Sequence, residues 1–530
     1  MGRAVARGVS FTAANSIISK FISFGTFALL GWLLHDRDFG LYAMAFSIAA
    51  FLQFFRDGGV VQLLIQRGEA EYERILGPVF WMALTCNSVT AAALAIVAPI
   101  AAEYKGEPAL AWLIWVLAAT LPLGTPGSIF AARLQMDLRF GYLNAVQLGS
   151  SLIRYAGTIG LALAGAGPMS FVIPMPIMAA YEGVAYYLAV RQTPWLRAPR
   201  FAMWRELFDS SKWLIFFSFS IATLNQGGYL VIGAMVNVQK VGVFAFAFQL
   251  ITQIDALLGT LGTVLFPALT RLNNDPARQN AATLRITRVL MFIACPAALG
   301  LAAIIGPLEQ FLWHGKWQVA VWPVQALAVF YAARILITIP NAVLQARGQF
   351  RYNALITLAA GLGLMLAVAI GAYWGLHTAF PTLRTPYRTS ACMGIAFGVF
   401  CGGFSLLALR RVGLAPWLVL NAISVSWLGA FTAAALTIAL DAGAQGHFDS
   451  FSQQAASWLA HHGLSIAARE WAPRAIDGLA RLVLSFGAYC LIYGVLQRLF
   501  APSALREMVE LVPGRLRPAA MRAALLPARP

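Results

Sequence analysis

Runs of about twenty apolar residues, joined by short polar stretches, repeat along nearly the whole chain and leave it few folds to adopt. About fourteen such runs are legible, near residues 10–34, 40–65, 77–101, 109–131, 142–165, 170–190, 210–236, 241–270, 286–308, 319–345, 352–376, 390–409, 415–440 and 478–500. Each is long enough to cross the hydrocarbon of a bilayer, where backbone groups must bond within their own segment, so each is expected as a helix. Charged residues make up 11% of the sequence and hydrophobic ones 60%, against about 25% charged in soluble domains. The fold class expected is therefore all-α, a polytopic membrane protein.

The runs are not independent. Gly40-Leu-Tyr-Ala-Met-Ala-Phe46 is echoed by Gly242-Val-Phe-Ala-Phe-Ala-Phe248, and at the same offset Gly31 matches Gly233. Further along, Leu134-Gln135 with Phe140 and Tyr142 recurs as Leu344-Gln345 with Phe350 and Tyr352. A unit of about 200 residues used twice in a membrane chain points to a carrier with two lobes around a central path. The copies take in six spans each, an even number, so both enter from one side and the repeats are parallel. The domain division that follows is an N-lobe over 1–205 and a C-lobe over 206–411. Residues 412–500 add two further spans with a long loop at 441–477, which also reads as a short amphipathic helix at the outer interface, and a basic tail occupies 501–530.

The formal net charge of +17 does not imply nucleic acid, because the basic residues lie in short loops and not on one soluble face. One set of loops holds Arg67 and Arg74, Arg133 and Arg139, Arg271 and Arg278, and Arg410 and Arg411; the opposite set is sparse, with Arg37, Lys105, Lys240 and Lys316. The positive-inside rule then places both termini in the cytoplasm. The loop 377–389, with Arg384 and Arg388 on the sparse side, fits this pattern least.

Charges inside apolar spans cost about 2.5–3.5 kcal/mol on insertion scales and belong in a wet or paired interior. Lys20, Arg56, Arg154 and Arg334 are the basic ones singled out; Asp57, Asp255 and Glu182 are the acids. An interior with excess positive charge suits an anionic substrate, since a phosphate entering low dielectric needs cationic partners. The four basic residues are the candidate anion contacts, and each acid is a candidate for a coupling proton or sodium ion or for a structural ion pair. No resident cofactor or metal is expected. The five cysteines make no CxxC pair, His461-His462 is not an HExxH motif, and neither a GxxxxGK[ST] loop nor a GxSxG elbow occurs.

Several stretches resemble the Wzx-type O-antigen and exopolysaccharide translocases of the multidrug/oligosaccharidyl-lipid/polysaccharide superfamily. They are Gly8-Val-Ser-Phe-Thr-Ala-Ala-Asn15, Phe39-Gly-Leu-Tyr-Ala-Met-Ala45, Phe54-Phe-Arg-Asp-Gly-Gly59, Leu64-Ile-Gln-Arg67, Phe266-Pro-Ala-Leu-Thr-Arg271 and Leu344-Gln-Ala346. Together they span roughly residues 1–440. The resemblance implies a flippase of the bacterial inner membrane that moves an oligosaccharide linked to undecaprenyl pyrophosphate between leaflets by alternating access. Its partners would be that lipid-linked oligosaccharide, membrane lipids and other membrane proteins of polysaccharide assembly. By the same analogy spans 1, 2, 7 and 8 would line the cavity, with Lys20, Arg56, Asp57 and Asp255 on them. A cation-coupled multidrug exporter and a peptidoglycan-precursor flippase share the architecture. A membrane polymerase or ligase is an enzyme alternative, which the two equivalent lobes argue against.

Overall fold

The structure is a computed structural model, described here over residues 22–53, 60–270, 275–377, 381–461 and 466–500. Every regular element in these residues is helical. The order is α1 (Ile22–Leu33), α2 (Asp36–Leu52), α3 (Val60–Lys105), α4 (Pro108–Met136), α5 (Phe140–Leu163), α6 (Met169–Val190), α7 (Trp204–Met235) and α8 (Val238–Thr270). It continues with α9 (Pro276–Trp313), α10 (Gln318–Ala328), α11 (Tyr331–Ala346), α12 (Phe350–Leu376), α13 (Pro381–Ala396), α14 (Gly403–Arg411), α15 (Pro416–His461) and α16 (Ile466–Phe500). Among the described residues nine helices are long and apolar enough to cross a membrane, or ten if α10 and α11 form one bent span. Fourteen crossings remains the expectation from the sequence.

Local chemistry sets the helix ends. Pro108 opens α4 and Pro276 opens α9, positions where a missing N–H costs nothing. At α9 the Asp275 carboxylate also accepts from the Arg278 N–H at 3.1 Å. Within α3 the backbone turns at Gly68, whose φ of 73° and ψ of −172° belong to a region that residues with a Cβ avoid.

The chain groups into two compact units. The first holds Met1–Phe246 and Phe350–Thr389, the second Ala247–Gln349 and Ser390–Pro530. In the first unit, Tyr72, Ile75, Leu76 and Val79 of α3 pack with Ile129 and Ala132 of α4 and with Leu207 of α7. In the second, α9 packs against α15 and α16. Pro296 cannot donate to the Phe292 carbonyl one turn back. The Tyr493 hydroxyl donates to that oxygen instead at 3.2 Å, and the Tyr489 hydroxyl donates to the Pro296 carbonyl at 3.0 Å.

Three expectations change. The span at 319–345 is broken between α10 and α11, which meet at 52°. The break leaves the Val329 carbonyl without a helical donor, and the Trp427 indole N–H takes it at 2.7 Å. The loop expected at 377–389 shortens, because α13 already begins at Pro381; Arg388 turns back on the preceding helix, donating to the Trp374 carbonyl at 3.0 Å. The long loop at 441–477 is helical over most of its length, since α15 continues to His461 and α16 starts at Ile466. No proline interrupts 417–461, and alanines recur at 442, 444, 455, 456 and 460, so helix is the favoured local state. The base of this hairpin is clamped: Arg481 donates through Nε and Nη2 to Asp441 at 3.0 and 2.7 Å, and through Nη1 to Gln310 of α9 at 2.8 Å.

Candidate functional site

The two echoed motifs pack on each other. Gly40 lies on α2 against the backbone carbonyl of Val238, the first residue of α8; a Cβ there would collide with that oxygen. Gly242 lies on α8 against the carbonyl of Asp36, the first residue of α2, and a Cβ there would collide in the same way. Each glycine therefore receives the start of the other copy's helix, a reciprocal contact of the kind a local two-fold axis produces. Aromatic residues close around it: Phe246 sits 5.0 Å from Phe27 and 5.5 Å from Phe39 between ring centroids, and Tyr42 stacks on Phe171 at 4.4 Å.

More ties join α3 and α7 at this end. Lys105, at the end of α3, donates through Nζ to the carbonyls of Ala234 and Val236, both at 3.1 Å. These are the terminal carbonyls of α7, where a cation offsets the negative helix end. Beside them Arg37 donates to Glu107 at 2.6 Å. The far end of the same helices is held differently. Arg67 bonds Glu206, which stands in the first turn of α7, at 2.8 Å and Glu71 at 3.2 Å, with the Glu206 side chain 57% exposed. Arg133 pairs with Glu69, and Arg197 with Glu73. Exposed pairs of this kind are worth about 0.2–1 kcal/mol each. One end is thus joined through close backbone contact; at the other, Leu207 of α7 packs into the apolar cluster of α3 and α4 and the Arg67–Glu206 pair lies beside it at the surface.

Of the sequence candidates, Asp255 and Arg334 are brought together in the second unit. The Arg334 guanidinium bonds the Asp255 carboxylate, to which the Tyr331 hydroxyl also donates at 2.8 Å. Phe248, the last residue of the second echo, lies under the same guanidinium at 5.9 Å. The expectation of Arg334 as an anion contact changes accordingly, since its charge is balanced within the fold and its side chain is only 11% exposed. Arg154 is an exposed residue of α5 that acts electrostatically on Tyr42, and among the described residues no acid pairs with it. Glu182 is half-buried on α6, where the backbone passes close to Gly127 of α4. Lys20, Arg56 and Asp57 lie outside the described residues. No group of three metal-binding side chains occurs among those described.

Sequence reasoning missed Tyr331, the Arg67–Glu206 pair and the Arg481–Asp441 clamp. Tyr331 and Arg334 are spaced i, i+3, a signal that they share a helix face. The other two pairings join residues far apart in the chain and carry no local signal.

Comparison with known proteins adds to the geometry. The model of a family described as "Polysaccharide biosynthesis protein" matches residues 29–323, more than half of the chain. The Teichuronic acid biosynthesis protein TuaB of Bacillus subtilis (strain 168) is 24% identical over 77% of this chain and 92% of its own length. The Lipopolysaccharide biosynthesis protein WzxC of Escherichia coli (strain K12) is 21% identical over 69% of this chain and 77% of its own. Among solved structures, the lipid II flippase MurJ in an inward closed conformation aligns with a TM-score of 0.64 at 13% identity, covering 92% of this chain and 99% of MurJ. An inward-facing multidrug resistance MATE family transporter of the MOP superfamily aligns at 0.60 and 12% identity, covering 76% and 98%. At these identities the structures speak for the fold alone, which this chain shares with MurJ and with that MATE transporter.

Proposed function

The chain belongs to the polysaccharide biosynthesis protein family, whose members are multi-pass membrane transporters of the MOP fold, and from that premise we propose that it is a flippase for a lipid-linked oligosaccharide. In this reading the cargo is a glycan repeat unit on undecaprenyl pyrophosphate, moved from the cytoplasmic to the periplasmic leaflet of the bacterial inner membrane. The observation that carries the reading is the reciprocal contact of Gly40 and Gly242. It supports a carrier whose equivalent halves, residues 1–205 and 206–411, meet at the outer end and part in alternation with the inner end. Backbone contact at one end, and at the other an exposed ion pair beside the apolar packing of Leu207, suit a resting state in which the inner end is the one to open.

Lys20, Arg56 and Arg154 are the residues proposed to meet the pyrophosphate, which needs cationic partners on leaving water. Arg334 and Asp255 hold the second unit together and enter the transport path only when their pair opens. Asp57, Glu182 and, in that opened state, Asp255 are the groups proposed to take up a coupling proton or sodium ion. Both termini are cytoplasmic. The basic bias of the proposed path disfavours an organic-cation exporter, and two equivalent halves disfavour a polymerase or ligase. The test is deletion followed by assay of the leaflet in which the lipid-linked oligosaccharide resides. Accumulation in the cytoplasmic leaflet is expected, and Lys20→Ala or Arg56→Ala should reproduce it with the protein still in the membrane. Accumulation in the periplasmic leaflet would point to a polymerase or ligase and refute the proposal.

A further inference from the structure

The second unit contains an apolar crevice of about 550 Å³, within the range of about 300–1,000 Å³ typical of small-ligand sites. Its floor is the outer face of α11, through Ala332, Ala333 and Leu336, opposite Gly398, Gly402 and Gly403. Those glycines belong to or adjoin a π-helical turn, Phe397–Gly402, that links α13 to α14. The wider turn and the missing side chains open the space. The inner end is closed by Phe330 stacked on Trp427, rings 5.4 Å apart and 7° from parallel. Leu420, Ser424 and Trp427 form the remaining wall, spaced i, i+4, i+7 along one face of α15. Ser424 offers the one polar side chain, so the occupant must be a hydrocarbon.

The crevice opens sideways, between residues that face outward: Ile395, Val399 and Leu420 are 58%, 60% and 51% exposed. In a multi-pass membrane protein that surface meets lipid tails. One end of the opening has the chemistry of the membrane interface. Trp417, 65% exposed, stands three residues before Leu420 at the start of α15, the level that tryptophan favours in bilayers. Exposed Arg410 stands one turn beyond Leu406 of the crevice wall, in the last turn of α14 beside Arg411. A cation at the interface and a dry slot running inward from it fit an anionic headgroup and one of its chains.

We propose that the crevice is a binding site for a bilayer phospholipid with an anionic headgroup, one acyl chain lying between α11 and α15 and the phosphate on Arg410. Bilayer phospholipid is in vast excess over any cargo lipid, so mass action fills an open hydrocarbon slot with it. The site does not depend on the cargo proposed above. Its consequence is mechanical. The chain lies against the outer face of α11, whose inner face carries Tyr331 and Arg334 onto Asp255. A seated chain therefore braces the helix that holds the Asp255–Arg334 ion pair.

The test uses the full-length protein in nanodiscs of phosphatidylcholine doped with phosphatidylglycerol bearing a diazirine at the end of one acyl chain. After photolysis, crosslinks are mapped by peptide mass spectrometry. The proposal expects them to concentrate on 395–406 and 420–427, about tenfold above the lipid-facing surface of α12, the ratio that 1.4 kcal/mol of preference gives. Ala333→Phe, which fills the crevice, should remove this excess. Arg410→Ala, at the exposed rim where folding is not at stake, should reduce it for the phosphatidylglycerol probe and not for a phosphatidylcholine probe of the same chain. Crosslinks spread evenly over the lipid-facing helices would overturn the proposal, as would an excess indifferent to Arg410→Ala. Displacement of the probe by equimolar undecaprenyl phosphate would also overturn it, by assigning the slot to the cargo.

Discussion

A methyl group at Gly40 has nowhere to go, because the Val238 carbonyl occupies its place, and Gly242 is confined in the same way by Asp36. Forcing a larger side chain into such a contact costs typically about 1–3 kcal/mol and shifts backbone. Gly40→Leu or Gly242→Leu should therefore abolish polymer export with the protein still in the membrane, whereas Gly141→Leu, where nothing lies within 4 Å, should export normally. Polymer yield beside membrane protein level checks this. The Asp255–Arg334 pair makes a second residue-scale prediction. Asp255 is 34% exposed and Arg334 11%, so removing one partner costs less than breaking a fully buried pair but still strands a half-buried charge, whereas replacing both by apolar residues is often neutral. Asp255→Ala should lower the melting temperature in detergent more than the double change Asp255→Ala with Arg334→Met. Equal losses would show that the two charges are not coupled. Both residues stood out in the sequence as charges within apolar runs. Their pairing did not, because they are 79 positions apart and meet only through packing of α8 on α11.

The helices themselves were largely legible in the sequence, since an apolar run of span length has few alternatives in a bilayer. What escaped was behaviour decided by neighbours. The break between α10 and α11 falls at Val329–Phe330, with no proline or glycine there to announce it, and depends on Trp427 from another helix to satisfy the freed carbonyl. The stretch 441–477 reads as a long loop with a short amphipathic helix, and its extension of both flanking spans as helix was hidden by its polar and glycine residues. The Arg481 clamp on Asp441 and Gln310 anchors it as a helical pair. Charged and neutral supports on α16 differ in strength. Arg481 is 5% exposed, so Arg481→Ala leaves Asp441 without its buried partner and should destabilise by about 3–5 kcal/mol. Tyr493→Phe removes one neutral hydrogen bond to the Phe292 carbonyl and should cost about 0.5–1.5 kcal/mol. Thermal melts of the two variants in one detergent give the ranking.

At the scale of the molecule, the two motifs echoed in the sequence lie at one internal contact, each glycine resting on the first residue of the other's helix. A sequence echo reports common origin; only the structure places the echoed residues face to face. The loop charges predict sidedness, so a reporter fused after Arg278 should be active only as a cytoplasmic one. The most direct measurement of the central claim uses purified protein in sealed vesicles that carry a fluorescent oligosaccharide on undecaprenyl pyrophosphate in both leaflets. A membrane-impermeant quencher added outside reads the outer pool at once and the inner pool only as it crosses. The account predicts that wild-type protein makes the inner pool accessible, while the Gly40→Leu protein leaves it as protected as in protein-free vesicles. An inner pool that stays protected with wild-type protein, under either a proton or a sodium gradient, would contradict it.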